Sequence, residues 1–349
     1  MRILVLGGTG AIGFHVCRLL AEAGYEVVVT SRRQRDSNVL GISYVVGNAK
    51  RRDFLDAVLC ERWDAVLDFM VWSTAEFRER CESFLSSAEQ YLFVSSYRVY
   101  ADSSVITEDS PRLLDVINDP EYLATDEYAL AKARCENMLF ESGRSNWTIV
   151  RPAITYDGGG RLQLGVMESE AWLARAVAGI PVPFPREMLS KQATMSGGGD
   201  VARMIAALVG NPQAYGESFT VSSSDHMSWS DVAETYRTVL PFDLVEVALS
   251  DYERIYGAAY QIRYDRMCDR VIDNGKILRA TGILEDSLVS MRDGLAGALR
   301  DFLATDSPFL VRAGLSGRLD RLVGGFPSLG GVSKDGIASL AKYLARRFG

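Results

Sequence analysis

Short apolar runs and longer segments of helical period alternate along the first 150 residues of the chain. Residues 3–6 (ILVL) form an unbroken apolar run of strand length. Residues 11–23 place apolar side chains at the three- and four-residue spacing of one helix face. Gly24 stops that segment, and residues 26–30 (EVVVT) read as a second strand. The rhythm continues with strands over 43–46, 64–69, 91–94 and 147–150 and helices over 52–61, 74–88 and 126–142. A long polar stretch at 101–125, carrying Pro111 and Pro120, reads as loop. Strands and helices alternating at this spacing predict an α/β fold built on a doubly wound parallel sheet of about seven strands.

Beyond Tyr156 the pattern is less regular, punctuated by glycines at 158–160 and 197–199 and by Pro181, Pro183 and Pro185. A helix over 200–209 and a strand over 218–221 rejoin the sheet, while helices over 229–240 and 284–304 belong to a smaller lobe. The expected organisation is a sheet domain over 1–157, rejoined by about 200–225, a second lobe over 158–199 and 226–304, and an extension over 305–349. In that extension Ser333 is placed to cap a helix with Ile337, Leu340, Ala341, Leu344 and Phe348 on one face and Lys334, Lys342 and Arg347 opposite. Such a helix docks on its own chain or on a sister subunit; a membrane-surface helix is the sharper alternative.

Composition narrows the function classes. Of 349 residues, 48% are hydrophobic and 24% charged, the balance of an ordinary globular enzyme. The net charge of −7 gives no electrostatic case for nucleic acid or an anionic membrane. Five cysteines lie without metal or disulfide spacing and suit a reducing compartment; no apolar run approaches membrane-spanning length, and Met1 all but begins the first strand, so a cytoplasmic protein is expected. With only His15 and His226, both isolated, neither a histidine-based triad nor a histidine metal site is expected.

The chemistry comes from elsewhere. Glycines at 7, 8, 10 and 13 fall at the first strand-to-helix corner, where a backbone without Cβ atoms can approach a pyrophosphate and a helix N-terminus offers free N–H groups. Gly8-x-Gly10-x-x-Gly13 fits the general dinucleotide spacing, and Gly7-x-x-Gly10-x-x-Gly13 the wider spacing of short-chain dehydrogenases. Tyr128 and Lys132 stand one helical turn apart on one face. A phenol ordinarily titrates near about pH 10 and is a poor base unless its anion is stabilised, which an ammonium and an oxidised nicotinamide would do. Tyr128 could then take a proton from a substrate hydroxyl, Lys132 could also hold the nicotinamide ribose, and Ser96, at the carboxyl end of the fifth strand, could bond the reacting oxygen.

These motifs resemble the extended short-chain dehydrogenase/reductase superfamily, and within it the NAD-dependent epimerase/dehydratase family, over roughly residues 1–300. GGTGAIG (7–13) is similar to the cofactor loop, with Gly7, Thr9, Gly10, Ala11, Ile12 and Gly13 as cofactor residues; FVSSYRVY (93–100) is similar to the serine strand, and YALAK (128–132) to the active-site helix. Further likenesses are RPAITYDGGG (151–160), GDVARMIAAL (199–208) and DRVIDNGKILRATGI (269–283). The family's hydroxyl stands four positions before a tyrosine, here Tyr100, which favours Ser96 over Ser95. The resemblance implies a Rossmann-type sheet with a smaller discontinuous lobe, NAD or NADP, a nucleotide-activated sugar as substrate and a homodimer formed by the helices at 74–88 and 126–142, with which Leu130, Met138 and Leu139 are compatible. Where NAD-preferring members place an acid after the second strand, this chain has Ser31-Arg32-Arg33, which leans towards NADP. Asn48 replaces the acid that meets adenine. Tyr97-Arg98 replaces the Asp-Glu pair of the sugar dehydratases, which disfavours loss of water. The segment 193–199 (ATMSGGG) departs from the family, and Arg186, Arg263 and Asn274 are the polar candidates for substrate contact. The expected activity is epimerisation through a keto intermediate, with an NADPH-dependent keto-sugar reductase as the alternative and a non-catalytic dinucleotide regulator or RNA-binding relative as the outsider.

Overall fold

The computed structural model describes residues 1–305, 312–324 and 336–349. Twelve strands follow in chain order: β1 (Arg2–Leu6), β2 (Glu26–Ser31), β3 (Ile42–Val46), β4 (Trp63–Asp68), β5 (Ala88–Val94), β6 (Trp147–Pro152), β7 (Ile154–Tyr156), β8 (Val182–Pro185), β9 (Gln192–Gly197), β10 (Glu217–Val221), β11 (His226–Ser228) and β12 (Leu244–Val247). Seven of them form one sheet in the order β10-β6-β5-β4-β1-β2-β3, every pair parallel.

Strand period two divides the apolar runs between two cores. Ile3 and Val5 of β1 point to one face, where they join Val27, Val29, Ala65 and Leu67 beneath the helices Ala11–Glu22 and Gly198–Leu208. Leu4 and Leu6 point to the other, joining Val28, Val66, Tyr91 and Phe93 beneath Arg52–Leu59, Cys81–Ser87 and Tyr128–Phe140. Because helices cover both faces, every residue of such a strand is core and the run has no polar interruption. Burial of each Val, Ile or Leu stabilises the sheet by roughly 1.5–3 kcal/mol.

Local differences from the expected elements have local causes. The helix expected over 74–88 is two, Thr74–Arg78 and Cys81–Ser87, broken where buried Arg80 turns its guanidinium to the carbonyls of Glu76 and Lys50 at 2.7 and 3.2 Å. The polar stretch at 101–125 holds two one-turn helices, Leu113–Val116 and Pro120–Leu123, the second capped by Asp119, which accepts from Tyr122 N–H at 3.0 Å. The helix expected from 284 starts at Met291, because Ser290 caps it by accepting from Asp293 N–H.

The chain forms two compact units. The first comprises Met1–Thr155, Met195–Ser224 and Ile272–Val289, and the second Tyr156–Thr194, Asp225–Val271 and Ser290–Gly349. Residues 272–289, expected in the smaller lobe, fall in the first unit because the helix Gly275–Thr281 packs on β10 and on Gly198–Leu208, with Ile277 in the core. In the second unit β8 pairs with β12 in parallel, residues 192–194 of β9 pair with β11 antiparallel, and Trp172 stacks on Tyr236 with ring centroids 4.6 Å apart.

The described part of the expected C-terminal extension clusters with this second unit, and its last helix, Ile337–Phe348, packs on Ala313–Val323. Within this chain the apolar face expected to dock is covered only in part. Ile337 is 88% exposed, Phe348 73% and Leu344 40%, while Tyr343 is fully buried. Burial follows Tyr343 because its hydroxyl donates to buried Asp320 at 2.5 Å. Ser333 and Lys334 lie outside the described residues.

Candidate active site

In an open parallel sheet, ligands bind beyond the carboxyl ends of the strands where the strand order reverses. Here that point is β1, with β2 on one side and β4 on the other. The glycines after β1 divide the work. Gly7 turns the chain at φ +72°, and its N–H donates to Thr30 Oγ1 at 3.2 Å. A Cβ on Gly13 would stand 2.7 Å from Gly8 Cα, so helix and turn touch only because both are glycine. A Cβ on Gly10 would meet nothing within 4 Å. The helix Ala11–Glu22 starts behind Gly10 with no side-chain cap and no acid in its first turn. Its first N–H groups and positive end are therefore available to an anion.

A cavity of about 420 Å³ opens at this corner. Of the expected cofactor residues, Gly7, Thr9, Gly10, Ser31, Arg32 and Asn48 line it. Ala11 and Ile12 form the first helical turn, with Ile12 packed on the core, and Gly13 is buried behind the loop. Arg33 is exposed outside the lining; its N–H donates to Ser31 Oγ at 3.4 Å. Thr30, Gly47, Lys50, Met70 and Val71 also line the cavity, unforeseen from sequence. An open glycine, an uncapped helix end and a roomy cleft fit a dinucleotide pyrophosphate.

The two serines after β5 part company. Ser95 Oγ donates to buried Glu136 at 2.6 Å. Glu136 also takes a two-pronged contact from Arg151, both distances 2.8 Å, and a second cation, Arg112, at 3.2 Å. Arg151 continues to the Tyr100 hydroxyl at 2.8 Å, which meets Thr220 at 2.8 Å. Burial alone would lower the Arg151 pKa, but the charge of Glu136 outweighs it and the guanidinium is raised above its ordinary value. Ser96 Oγ instead accepts from Arg98 N–H at 3.2 Å.

Arg98 draws Ser96 and Tyr128 together. Its guanidinium stands 5.2 Å from the Tyr128 ring centroid and pairs with Glu127 at 2.6 Å. Glu127 in turn caps the helix Tyr128–Phe140 by accepting from Ala129 N–H at 2.8 Å. Lys132 is buried, and its ammonium donates to Val94 O at 2.6 Å and Met70 O at 3.1 Å. It lies 5.9 Å from the Tyr128 ring centroid. An ammonium has three N–H donors, so one remains beside Met70, a residue of the cavity wall. Asp68, at the end of β4, is fully buried and accepts from Tyr91 hydroxyl, Trp72 Nε1 and Met70 N–H at 2.6, 2.6 and 2.8 Å. Burial raises its carboxyl above the ordinary range, against those bonds and the Lys132 charge.

The expected substrate and dimer residues fare differently. Asn274 belongs to the first unit and is buried there, its amide donating to Ser222 O at 3.2 Å and Glu285 Oε2 at 2.5 Å, so it joins two segments and is spent internally. Arg186 and Arg263 lie exposed in the second unit, Arg186 paired with Glu246 at 2.9 Å and Arg263 beside the Tyr264 ring. Leu130 and Leu139, offered for a dimer contact, are fully buried in their own chain because the helix carrying them is packed against β5 and its neighbours. Buried Cys17, Cys81 and Cys135 have thiols pushed up by burial to about 12, 11 and 12, whereas Cys60 is exposed. Among the described residues no helix is long and apolar enough to cross a membrane.

A seven-stranded parallel sheet flanked by helices, with this glycine corner after its first strand, is a Rossmann-type α/β fold. Over residues 3–83 the chain matches the sequence model of the NAD dependent epimerase/dehydratase family. It is 27% identical over 251 residues to the chloroplast stem-loop binding protein of 41 kDa b of Arabidopsis thaliana, covering 67% of this chain and 61% of that one. The chain thus spans about three fifths of that relative's length. It is 25% identical over 280 residues to 2'-dehydrokanamycin reductase of Streptomyces kanamyceticus, 77% of each chain. Its fold is similar to that of UDP-glucuronic acid 4-epimerase from Bacillus cereus, solved with UDP-glucuronic acid and NAD, at a TM-score of 0.66 and 17% identity over 87% of this chain and 99% of that one.

Proposed function

We propose that the protein is an NAD(P)-dependent epimerase acting on a nucleotide-activated sugar through a transient keto intermediate. The observation that carries this reading is the cluster around Tyr128: its ring centroid is 5.9 Å from the Lys132 ammonium and 5.2 Å from the Arg98 guanidinium, and the Arg98 backbone N–H donates to Ser96 Oγ. Bound at the glycine corner, a nicotinamide dinucleotide supplies a hydride acceptor and, in the return step, a hydride donor. Tyr128 takes the proton of the ring hydroxyl as that carbon is oxidised and returns it when the carbon is reduced from the opposite face. Ser96 bonds the same oxygen throughout. Lys132, fixed at the cavity wall, and Arg98 oppose the negative charge that develops on the phenol oxygen. Arg98 also bears on reaction choice, since a guanidinium cannot abstract the proton that elimination of water requires.

A one-way NADPH-dependent keto-sugar reductase is the second reading, supported by Arg32 in the cavity lining, by its fit to a 2'-phosphate and by the reductase among the relatives. The test is incubation of the purified protein with UDP-sugars and catalytic NAD+ or NADP+, followed by nuclear magnetic resonance of the sugar. Interconversion of two epimers without net change in nicotinamide absorbance is expected. Stoichiometric NADPH consumption would establish the reductase instead. Absence of turnover together with retention of RNA stem-loops would transfer to this chain the activity that the chloroplast relative's name describes.

A further inference from the structure

The second unit contains a cleft of about 540 Å³ in which four described lining residues, Arg312, Arg318, Lys342 and Arg346, are cationic and none is acidic. The chain as a whole is acidic, at −7, so this concentration of positive charge is a local construction.

Two helices build it. Ala313–Val323 and Ile337–Phe348 approach closely at glycines: a Cβ on Gly317 would stand 2.5 Å from the Tyr343 carbonyl oxygen, and one on Gly314 would stand 3.1 Å from Lys342 Cε. That approach sets Lys342 and Arg346 on one helix beside Arg318 on the other. The acid of these helices, Asp320, is turned elsewhere: it accepts from Tyr343 at 2.5 Å and pairs with Arg175 at 2.8 Å. Glu170 neutralises Arg312 at 2.7 Å. Arg318, Lys342 and Arg346 make no ion pair with described residues, and Arg318 Nε is buried without a hydrogen-bond partner among them. Like charges held together repel unless a counter-charge joins them, and a buried unmatched N–H is costly until an acceptor reaches it. An oxyanion meets both needs. The volume lies in the range of small-ligand sites and exceeds the needs of a lone phosphate, and the Tyr256 ring and the Ser339 hydroxyl line the same cleft.

We propose that this cleft binds a small soluble diphosphate, a nucleoside diphosphate being the best match in size, at a site separate from the cofactor cavity. Three cations provide charge-assisted bonds to two phosphate groups, and the Tyr256 ring offers a face to a base.

The test is calorimetric titration of the full chain with pyrophosphate and with UDP, and co-sedimentation with vesicles of phosphatidylglycerol and phosphatidylcholine. Both soluble probes are expected to bind the wild type and to weaken about tenfold or more in K342E/R346E and in R318Q. NAD(P) affinity and the urea unfolding midpoint are expected to stay unchanged in K342E/R346E, since both side chains are exposed. Equal binding by wild type and variants, or no binding of either probe, would overturn the site. Binding to vesicles alone would also overturn it, assigning the cations to a lipid headgroup.

Discussion

A single methyl group has opposite consequences at Gly10 and Gly13. At Gly13 it would press on the Gly8 backbone at 2.7 Å, so G13A should lower the unfolding free energy by about 1–3 kcal/mol in urea titration. At Gly10 it meets no protein atom within 4 Å, so G10A should unfold like wild type yet bind NAD(P) roughly tenfold more weakly by fluorescence titration, because the methyl occupies space a pyrophosphate needs. At Tyr128 only the hydroxyl matters to the proposed proton transfer. Y128F should lower kcat about 10²- to 10⁴-fold while leaving cofactor affinity intact; a variant as active as wild type would remove the phenol from the chemistry. If Arg32, in the cavity lining, meets a 2'-phosphate, R32A should weaken NADP+ relative to NAD+ by about tenfold, read as a ratio of dissociation constants.

The end of β4 places Asp68 under the active site in a fully buried pocket, its native carboxyl raised by burial. Folding therefore favours its protonated form. The stability this contributes is fully present below the ordinary value of 3.8 and is lost as pH rises through the higher native value. The unfolding free energy of wild type relative to D68N should decline from about pH 4 upwards, and a difference that stays flat from pH 4 to 8 would exclude the raised carboxyl. Ser95, after the end of β5, reaches the buried carboxylate of Glu136, on which Arg151 and Arg112 close. Removing Glu136 strands buried cations, and E136A should cost about 3–5 kcal/mol. Elements of this kind were legible where local pattern decides them: β1 and β2 were readable because strands covered on both faces are apolar throughout. The break at Arg80 was not, because a guanidinium reaching the carbonyl of Lys50, thirty positions away, leaves no local signal.

Across the whole molecule, what sequence disclosed was the motif set, and what it hid was the set of contacts that strand order creates. Gly7, Ser31 and Asn48 could be named in advance because each stands at or just after a recognisable strand ending. Thr30, Lys50 and Met70 could not, since they reach the cavity only once the sheet sets β4 and β2 on either side of β1, with β3 beyond β2. Asn274 misled for the converse reason: a polar side chain in a plausible segment was consumed by Ser222 and Glu285. In the C-terminal helix the apolar pattern did not disclose that Tyr343 is the buried residue, because its burial follows its bond to Asp320 on another helix. The position of Lys132 carries a last consequence. By gripping carbonyls after β4 and at the end of β5, its ammonium rivets the floor of the cleft, besides the part proposed for it beside the phenol. Damage done by K132M will thus mix a slackened scaffold with a chemical deficit, and its rate penalty is an upper bound on the share of catalysis that belongs to the charge.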